Sequence, residues 1–444
     1  MLFFTLACAH LESVLSKDPS SSEDPQSTPI DQASEESSED PSHTEPLNEE
    51  CDLEDGGSVL AFEGDFVPQG SSVSGVREAC TQVIHAGAGA AGSTLSVRLD
   101  DWSADASARI QIEELSGGVL SEWVDVSVSE EIEVELSQSG EFFIRISSSD
   151  VYEAQNDYAL SVDCVDGCEL KYTRYPIFFM HGLAGFDAML NVLNYWNGVE
   201  DVLLDAGYHV EIHGVSAFDT TVDRSVEWLA ILEQLKEQGV ARKFNLIAHS
   251  QGGLDARYLT VLAEDPSFIA SITTIATPHY GTSIADLYTG VVSVSPFEGG
   301  IIDAIVELGS QLFGLSGDEL TNQLAQMTTV QMSSFNQEVP NLPEIAYYSW
   351  SGASCRYAQF SCQSDRDGET VSSFFLLSHA YIEGLEGDND GLVSVQTAVW
   401  GDHLGTINAD HIDQVGHRFD LSTQVFDAPA FYRSEAERLF EAGF

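Results

Sequence analysis

The stretch Phe244-Asn-Leu-Ile-Ala-His-Ser250-Gln-Gly-Gly253 decides the fold. Its apolar first half has the length of a buried parallel strand. Small residues then crowd around one serine, and Leu254-Asp-Ala-Arg-Tyr-Leu-Thr-Val-Leu262 follows with a helical composition. A chain that leaves a strand through a sharp turn and enters a helix at once lifts the turn residue above the sheet edge, and side chains beside it would clash with neighbouring elements. Ala248 holds the first small position, where glycine is usual, and satisfies the same steric need. A serine that merely caps the helix is the plainer reading; the strand and the small residues around it favour a nucleophile.

Moving outward, Tyr175-Pro-Ile-Phe-Phe-Met180 is a second apolar run, and it empties into His181-Gly-Leu-Ala-Gly-Phe-Asp187. A glycine-rich loop at a strand end lets backbone N–H groups approach a ligand unobstructed. Asp201–Gly207 reads as a helix end, Tyr208–Ile212 as a strand, and Val222–Gly239 as a helix stopped by its glycine. Strands alternating with helices predict a doubly wound, mostly parallel α/β sheet over residues 169–444.

Residues 51–168 have a different period. Thr94–Leu99, Ala108–Ile112, Ile132–Leu136 and Phe143–Ile146 alternate apolar and polar residues between Gly, Ser and Asp clusters, which predicts a small all-β sandwich. Its closing Asp157–Cys164 resembles the last strand of pre-peptidase C-terminal modules, so a binding or spacer role is expected. Residues 9–50 are rich in Ser, Pro, Asp and Glu, bury almost nothing, and read as a disordered tether. Met1–Cys8 resembles the tail of a bacterial lipoprotein signal peptide ending in its lipidated cysteine. Export, as an outer-membrane-anchored lipoprotein or an extracellular protein, is the expectation.

The chain has 444 residues, 17 basic and 72 acidic, for a formal charge of −55. That field repels nucleic acid and anionic membranes, so no nucleic-acid partner is expected. Of the seven cysteines, six remain after Cys8: Cys51, Cys80, Cys164, Cys168, Cys355 and Cys362. An even number in an exported chain predicts disulfides, Cys355–Cys362 being one local loop. A zinc site built on Cys164 and Cys168 is the alternative.

A serine hydroxyl needs a base, and the base needs an acid to orient it. Downstream lie Gly387-Asp-Asn-Asp-Gly-Leu-Val-Ser394 and Asn408-Ala-Asp-His-Ile-Asp413. Asp390, before a glycine turn and a short strand, and His411, on a later loop, suit these roles. Asp388, Asp402, His403 and His417 remain open on composition alone.

From Tyr175 to Phe444 the chain resembles the true bacterial lipases typified by Pseudomonas and Burkholderia enzymes. The matching blocks are Pro176–Asp187, His249–Gly253, Ala276-Thr-Pro-His-Tyr-Gly-Thr-Ser283, Tyr347–Gly352, Asn389–Val393 and His411–Val415. The resemblance implies an α/β-hydrolase fold and a triacylglycerol lipase with a Ser250, Asp390 and His411 triad. It places the oxyanion hole on the backbone N–H groups of Leu183 and Gln251. It also implies one structural calcium ion, held by the side chains of Asp413 and Asp367 (Asp365 being the rival) and the carbonyls of His417 and Leu421, although the family usually has Gln where His417 stands. Oxygen ligands of this kind suit calcium. No organic cofactor is implied. The apolar face at Ile301, Ile305, Leu308 and Leu312 falls where the family carries a lid. The expected partners are a lipid or ester substrate at an interface and a lipase-specific folding chaperone, for an enzyme acting as a monomer. An esterase or polyester depolymerase of the same fold stays open, as does a non-catalytic surface protein acting through its sandwich.

Overall fold

The computed structural model describes residues 60–150, 155–183, 195–291, 317–356, 369–417 and 426–444, with residues 300, 302, 303 and 306 in addition. The signal-like segment and the tether expected over residues 1–50 lie outside them, as does most of the helix expected over 301–312.

Nine strands before residue 167 form two facing sheets among the described residues. One sheet runs β1 (Leu60–Glu63), β3 (Thr81–Gly89), β8 (Gly140–Ser148), β5 (Ala108–Glu114), β6 (Val119–Val126). The other runs β2 (Ser71–Arg77), β9 (Asn156–Asp166), β4 (Thr94–Trp102), β7 (Glu131–Glu135). Every pairing is antiparallel except β1 with β3. Period-2 alternation turns Leu95, Val97 and Leu99 of β4 and Phe142, Ile144 and Ile146 of β8 into one shared core. Cys164 and Cys168 form a disulfide at the end of β9, which overturns the zinc alternative: thiols joined in a disulfide cannot serve as thiolate ligands. Cys80 and Cys355 are disulfide-bonded as well, to partners outside the described residues.

The second half is built on six parallel strands: β10 (Ile177–Met180), β11 (Val210–Ile212), β12 (Phe244–His249), β13 (Ile269–Ile275), β14 (Ala346–Ala353) and β15 (Asp402–Asn408). Their spatial order is β11-β10-β12-β13-β14-β15. Described helices of this half are α1 (Val199–Asp205), α2 (Thr221–Glu237), α3 (Gln251–Leu262), α4 (Ser283–Tyr288), α5 (Gly317–Ala325), α6 (Thr329–Glu338), α7 (Leu376–Leu385) and α8 (Ala428–Glu441). Strand β10 shows why its apolar run is continuous. Phe178 and Met180 pack with Trp228 and Leu232 of α2 and Leu259 of α3. Ile177 and Phe179 point the other way, to Leu203 of α1 and Tyr432 and Leu439 of α8. Helices cover both faces, so no position on the strand tolerates a polar side chain. Burying each phenylalanine contributes about 1.5–3 kcal/mol.

Local chemistry sets the helix limits. Thr220 caps α2 by accepting the Asp223 N–H, and Gly239 leaves the helix at φ 74°. The sheet and sandwich meet at a buried carboxylate. Glu141 on β8 binds Arg174 at 2.8 Å and Arg242 at 3.1 Å, while Ser139 Oγ donates to the Gly207 carbonyl at 2.6 Å. No described helix is long and apolar enough to cross a membrane.

The strand order places the site. From β10 the chain moves outward to β11 and then returns to the other side at β12. Carboxyl ends of neighbouring strands whose connections diverge leave a crevice between them. The loop after β10 and the turn after β12 open into that crevice, and they carry His181-Gly182-Leu183 and Ser250.

Candidate active site

Ser250 joins β12 to α3 at φ 56°, ψ −128°. A non-glycine residue held there stores about 1–3 kcal/mol of strain. The surroundings enforce it: Ser250 N–H donates to the Ile275 carbonyl at 2.9 Å, and Thr277 Oγ1 donates to the Ser250 carbonyl at 2.8 Å. A Cβ on Gly252 would stand 2.5 Å from the Met180 carbonyl and 2.7 Å from that of His181. Backbone cannot yield as a side chain can, so the elbow admits only glycine at this point.

The structure brings Ser250, His411 and Asp390 into one line. Ser250 Oγ and His411 Nε2 are 2.9 Å apart, and His411 Nδ1 lies 2.7 Å from Asp390 Oδ2. Since a carboxylate only accepts, Nδ1 carries the proton and Nε2 is left to accept from the serine hydroxyl. Asp390 is fully buried. Burial by itself would raise its pKa, but the imidazole of His411 and the N–H groups of Val393 and Leu392 outweigh this and hold it below the usual carboxylate value. Those N–H groups lie 2.8 and 3.0 Å from Oδ1. The short strand expected after Asp390 is not there. A tight turn closed by a single bridge between Asn389 and Ser394 takes its place, because the backbone donors that a strand would spend on a neighbour bind the Asp390 carboxylate.

Of the four open rivals, Asp388, Asp402 and His403 do not line the cavity of Ser250 and His411. His403 sits on β15 with Nδ1 at 3.1 Å from Ser349 Oγ, beside an exposed Asp402. Asp388 accepts the Val395 N–H through its carbonyl. His417 is buried and lines the same cavity as Ser250 and His411.

That cavity measures about 110 Å³. Besides Ser250 and His411, its walls include Leu183, Pro278, Ile284, Leu324, Met327, Phe375, Leu392, Val393 and Ile412. An apolar pocket with Ser250 and His411 at its wall is suited to a hydrocarbon chain bearing a reactive polar group. Leu183 follows β10 at the cavity wall, and Gln251 opens α3, where first-turn N–H groups have no partner within the helix.

Behind the β10 loop lies a pair that the sequence reading passed over. Arg224 and Asp255, both fully buried, meet at 2.7 Å, and Arg224 also donates to the carbonyls of His181 at 2.6 Å and Ser216 at 2.7 Å. Burial, with the nearby Arg224 charge, lowers the His181 pKa to about 3. The ring is therefore neutral, its Nε2 accepting the Val215 N–H at 3.1 Å.

Of the expected calcium ligands, Asp367 (with its rival Asp365) and Leu421 lie outside the described residues. Asp413 is fully buried in the short turn Asp413–Val415, and His417 follows close behind. Glu369, also fully buried and passed over in the sequence, accepts the Phe426 N–H at 3.2 Å. Asp410 is engaged by the N–H groups of Ser372, Asp413 and Ile412. A fully buried carboxylate such as that of Asp413 is chemistry that fits a hard cation. Among the described residues no three His, Cys, Asp or Glu side chains converge on a metal position.

Known proteins resemble this chain. A family model described as palmitoyl protein thioesterase matches residues 176–360. A triacylglycerol lipase of Vibrio cholerae is 32% identical over 331 residues, spanning 68% of this chain and 97% of that protein. One from Pseudomonas fragi is 30% identical over 301 residues, spanning 61% of this chain and 98% of its own. A third, from Burkholderia plantarii, is 29% identical over 312 residues, spanning 60% and 86%.

Proposed function

The chain belongs to the bacterial triacylglycerol lipases and is an ester hydrolase, and from that premise we propose that it cleaves acylglycerols through Ser250, His411 and Asp390. The observation that carries this reading is the unbroken line Ser250 Oγ–His411–Asp390, at 2.9 and 2.7 Å, on the wall of an apolar cavity. In the proposed reaction Ser250 attacks the ester carbonyl while His411 Nε2 takes its proton, and Asp390 steadies the imidazolium that forms. The N–H groups of Leu183 and Gln251 stabilise the oxyanion; one such donor is worth on the order of 10²–10³ in turnover. Protonated His411 then passes its proton to the leaving alcohol. Water, deprotonated by the same nitrogen, frees the acyl group from the serine.

A calcium ion bound by Asp413, the His417 carbonyl and ligands from Asp367 and Leu421 belongs to this reading, supported by the burial of Asp413. It would supply charge that holds the His411 loop. Export belongs to it too, supported by the disulfide-bonded state of Cys80, Cys164, Cys168 and Cys355.

The test is fatty-acid release from an emulsified long-chain triglyceride by the full chain, beside Ser250→Ala, with a long-chain acyl thioester and a short soluble ester as further arms. Release of fatty acid that vanishes in the variant supports the reading. Cleavage of the short ester alone moves the protein to the esterases, and thioester cleavage alone to the thioesterases. A melting temperature unmoved by chelator and added Ca²⁺ refutes the calcium site.

A further inference from the structure

One set of buried polar groups beside the triad has no part in the reaction above. Gln414 is fully buried, three residues past His411, and its Nε2 lies 3.0 Å from Asp390 Oδ2. Its Oε1 lies 3.0 Å from His249 Nε2. His249 Nδ1 is 2.7 Å from the Tyr195 hydroxyl, which is 3.0 Å from the Gly182 nitrogen.

The direction of every bond in this series follows from its two ends. An ionised Asp390 only accepts, so the amide nitrogen of Gln414 faces it and the amide oxygen must face His249. That oxygen only accepts, so His249 carries its proton on Nε2 and accepts at Nδ1. Tyr195 then donates to Nδ1, and its oxygen receives the Gly182 N–H. Burial lowers the His249 pKa to about 3, so the ring holds one proton and this arrangement is the only one that satisfies every atom. The donors run one way, Gly182 to Tyr195 to His249 to Gln414 to Asp390.

A second observation concerns space. A Cβ on Gly352 of β14 would overlap the Gln414 amide nitrogen and come within 3.1 Å of Asp390 Cβ. The sheet leaves out a side chain where the amide meets the acid.

We propose that Gln414, oriented through His249 and Tyr195, is a positioning residue that couples the loop bearing the Leu183 oxyanion donor to the triad acid. Gly182 immediately precedes Leu183, so the two ends of the series are the residue next to the oxyanion donor and the carboxylate that holds the base. Loss of any middle member frees both ends. Asp390 loses a donor that fixes which oxygen faces His411, and the Gly182 peptide loses the hydroxyl that fixes its plane. Tyr195 and His249 line the cavity but Gln414 does not, so the loss of Gln414 falls on turnover and leaves substrate binding alone. The inference rests on the hydrolase reading.

The experiment uses the full chain as wild type, Gln414→Leu, Tyr195→Phe and the double variant, with kcat and KM measured on one soluble ester and melting temperatures recorded alongside. Wild-type hydrolysis must be present and lost in Ser250→Ala; if it is absent, the hydrolase reading fails on its own. Gln414→Leu removes a hydrogen bond to a charged group and is expected to lower kcat on the order of 10- to 100-fold with KM within about twofold. Tyr195→Phe removes one neutral hydroxyl and is expected to lower kcat roughly three- to tenfold. Tyr195 and Gln414 are joined only through His249, so independent roles would multiply their losses. A connected series predicts a double variant no slower than Gln414→Leu alone. Unchanged kcat in either folded single variant, or multiplied losses in the double, overturns the proposal. Should Gln414→Leu fail to fold, Tyr195→Phe decides by its own kcat, since it deletes a single oxygen atom.

Discussion

Replacing Asp255 by Asn tests the electrostatics behind the loop that follows β10. Arg224 and Asp255 have no exposed surface, and their contact is 2.7 Å. The carbonyls of His181 and Ser216 take the other two guanidinium nitrogens, so the arginine stays seated when the carboxylate charge goes. An amide fills the same volume but leaves a buried cation uncompensated. Breaking one side of such a pair costs about 3–5 kcal/mol. The compact unit Cys51–Phe444, at about 2.1 cal/mol/K per residue, unfolds with an entropy near 0.8 kcal/mol/K. Asp255→Asn is therefore expected to lower the melting temperature by about 4–6 °C. The assay is calorimetric or fluorescence melting of wild type, Asp255→Asn, and the pair Arg224→Leu/Asp255→Leu. Because the desolvation cost of both charges disappears together, the double variant should lie closer to wild type than Asp255→Asn does. A single variant within 1 °C of wild type would refute the reasoning, as would a double variant that melts lower than the single.

Ser250→Gly should abolish ester hydrolysis and yet raise stability by roughly 1 kcal/mol, because glycine relieves the strain at φ 56°; a lower melting temperature would show that the elbow is not strained. Stability should also depend on His181. Its folded pKa of about 3 lies below the ordinary 6.5, so between those values the unfolded chain binds the extra proton. The contribution is fully present above pH 6.5 and is lost as pH falls toward 3. His181→Gln should reduce the slope of unfolding free energy between pH 6 and 4 by about 1.4 kcal/mol per pH unit, which denaturant titrations across that range would measure; an unchanged slope contradicts a neutral buried ring.

The serine elbow was legible because its causes are local. An apolar run, small residues and a helical segment sit within twenty positions, and the steric demand at Gly252 comes from a strand end that any doubly wound sheet supplies. Alternation in Thr94–Leu99 and Phe143–Ile146 marked the sandwich strands for a similar reason, since period-2 burial leaves its trace in consecutive residues. The candidate acid and base were legible only as a short set. Asp388 and Asp390 are two residues apart and alike in composition, and what separates them is the turn that aims the Leu392 and Val393 N–H groups at one carboxylate. The expected strand there failed because those donors were already committed.

Groups that meet across long stretches of chain left no trace at all. Glu141 with Arg174 and Arg242, and Arg224 with Asp255, are ordinary polar residues in the sequence, without motif or period, and the blocks that hold His249 and Gln414 give no sign that the two meet each other and Tyr195. They become a junction, a buried ion pair and a directed series of hydrogen bonds only when the sheet stacks their elements together. Sequence by itself determined the two halves, the elbow and the residue types that the chemistry needs, because those are written in neighbouring positions. Tertiary structure alone decided which carboxylate, which imidazole and which amide meet, because burial makes every unpaired polar atom costly, and only the assembled core settles which atoms are left to pair.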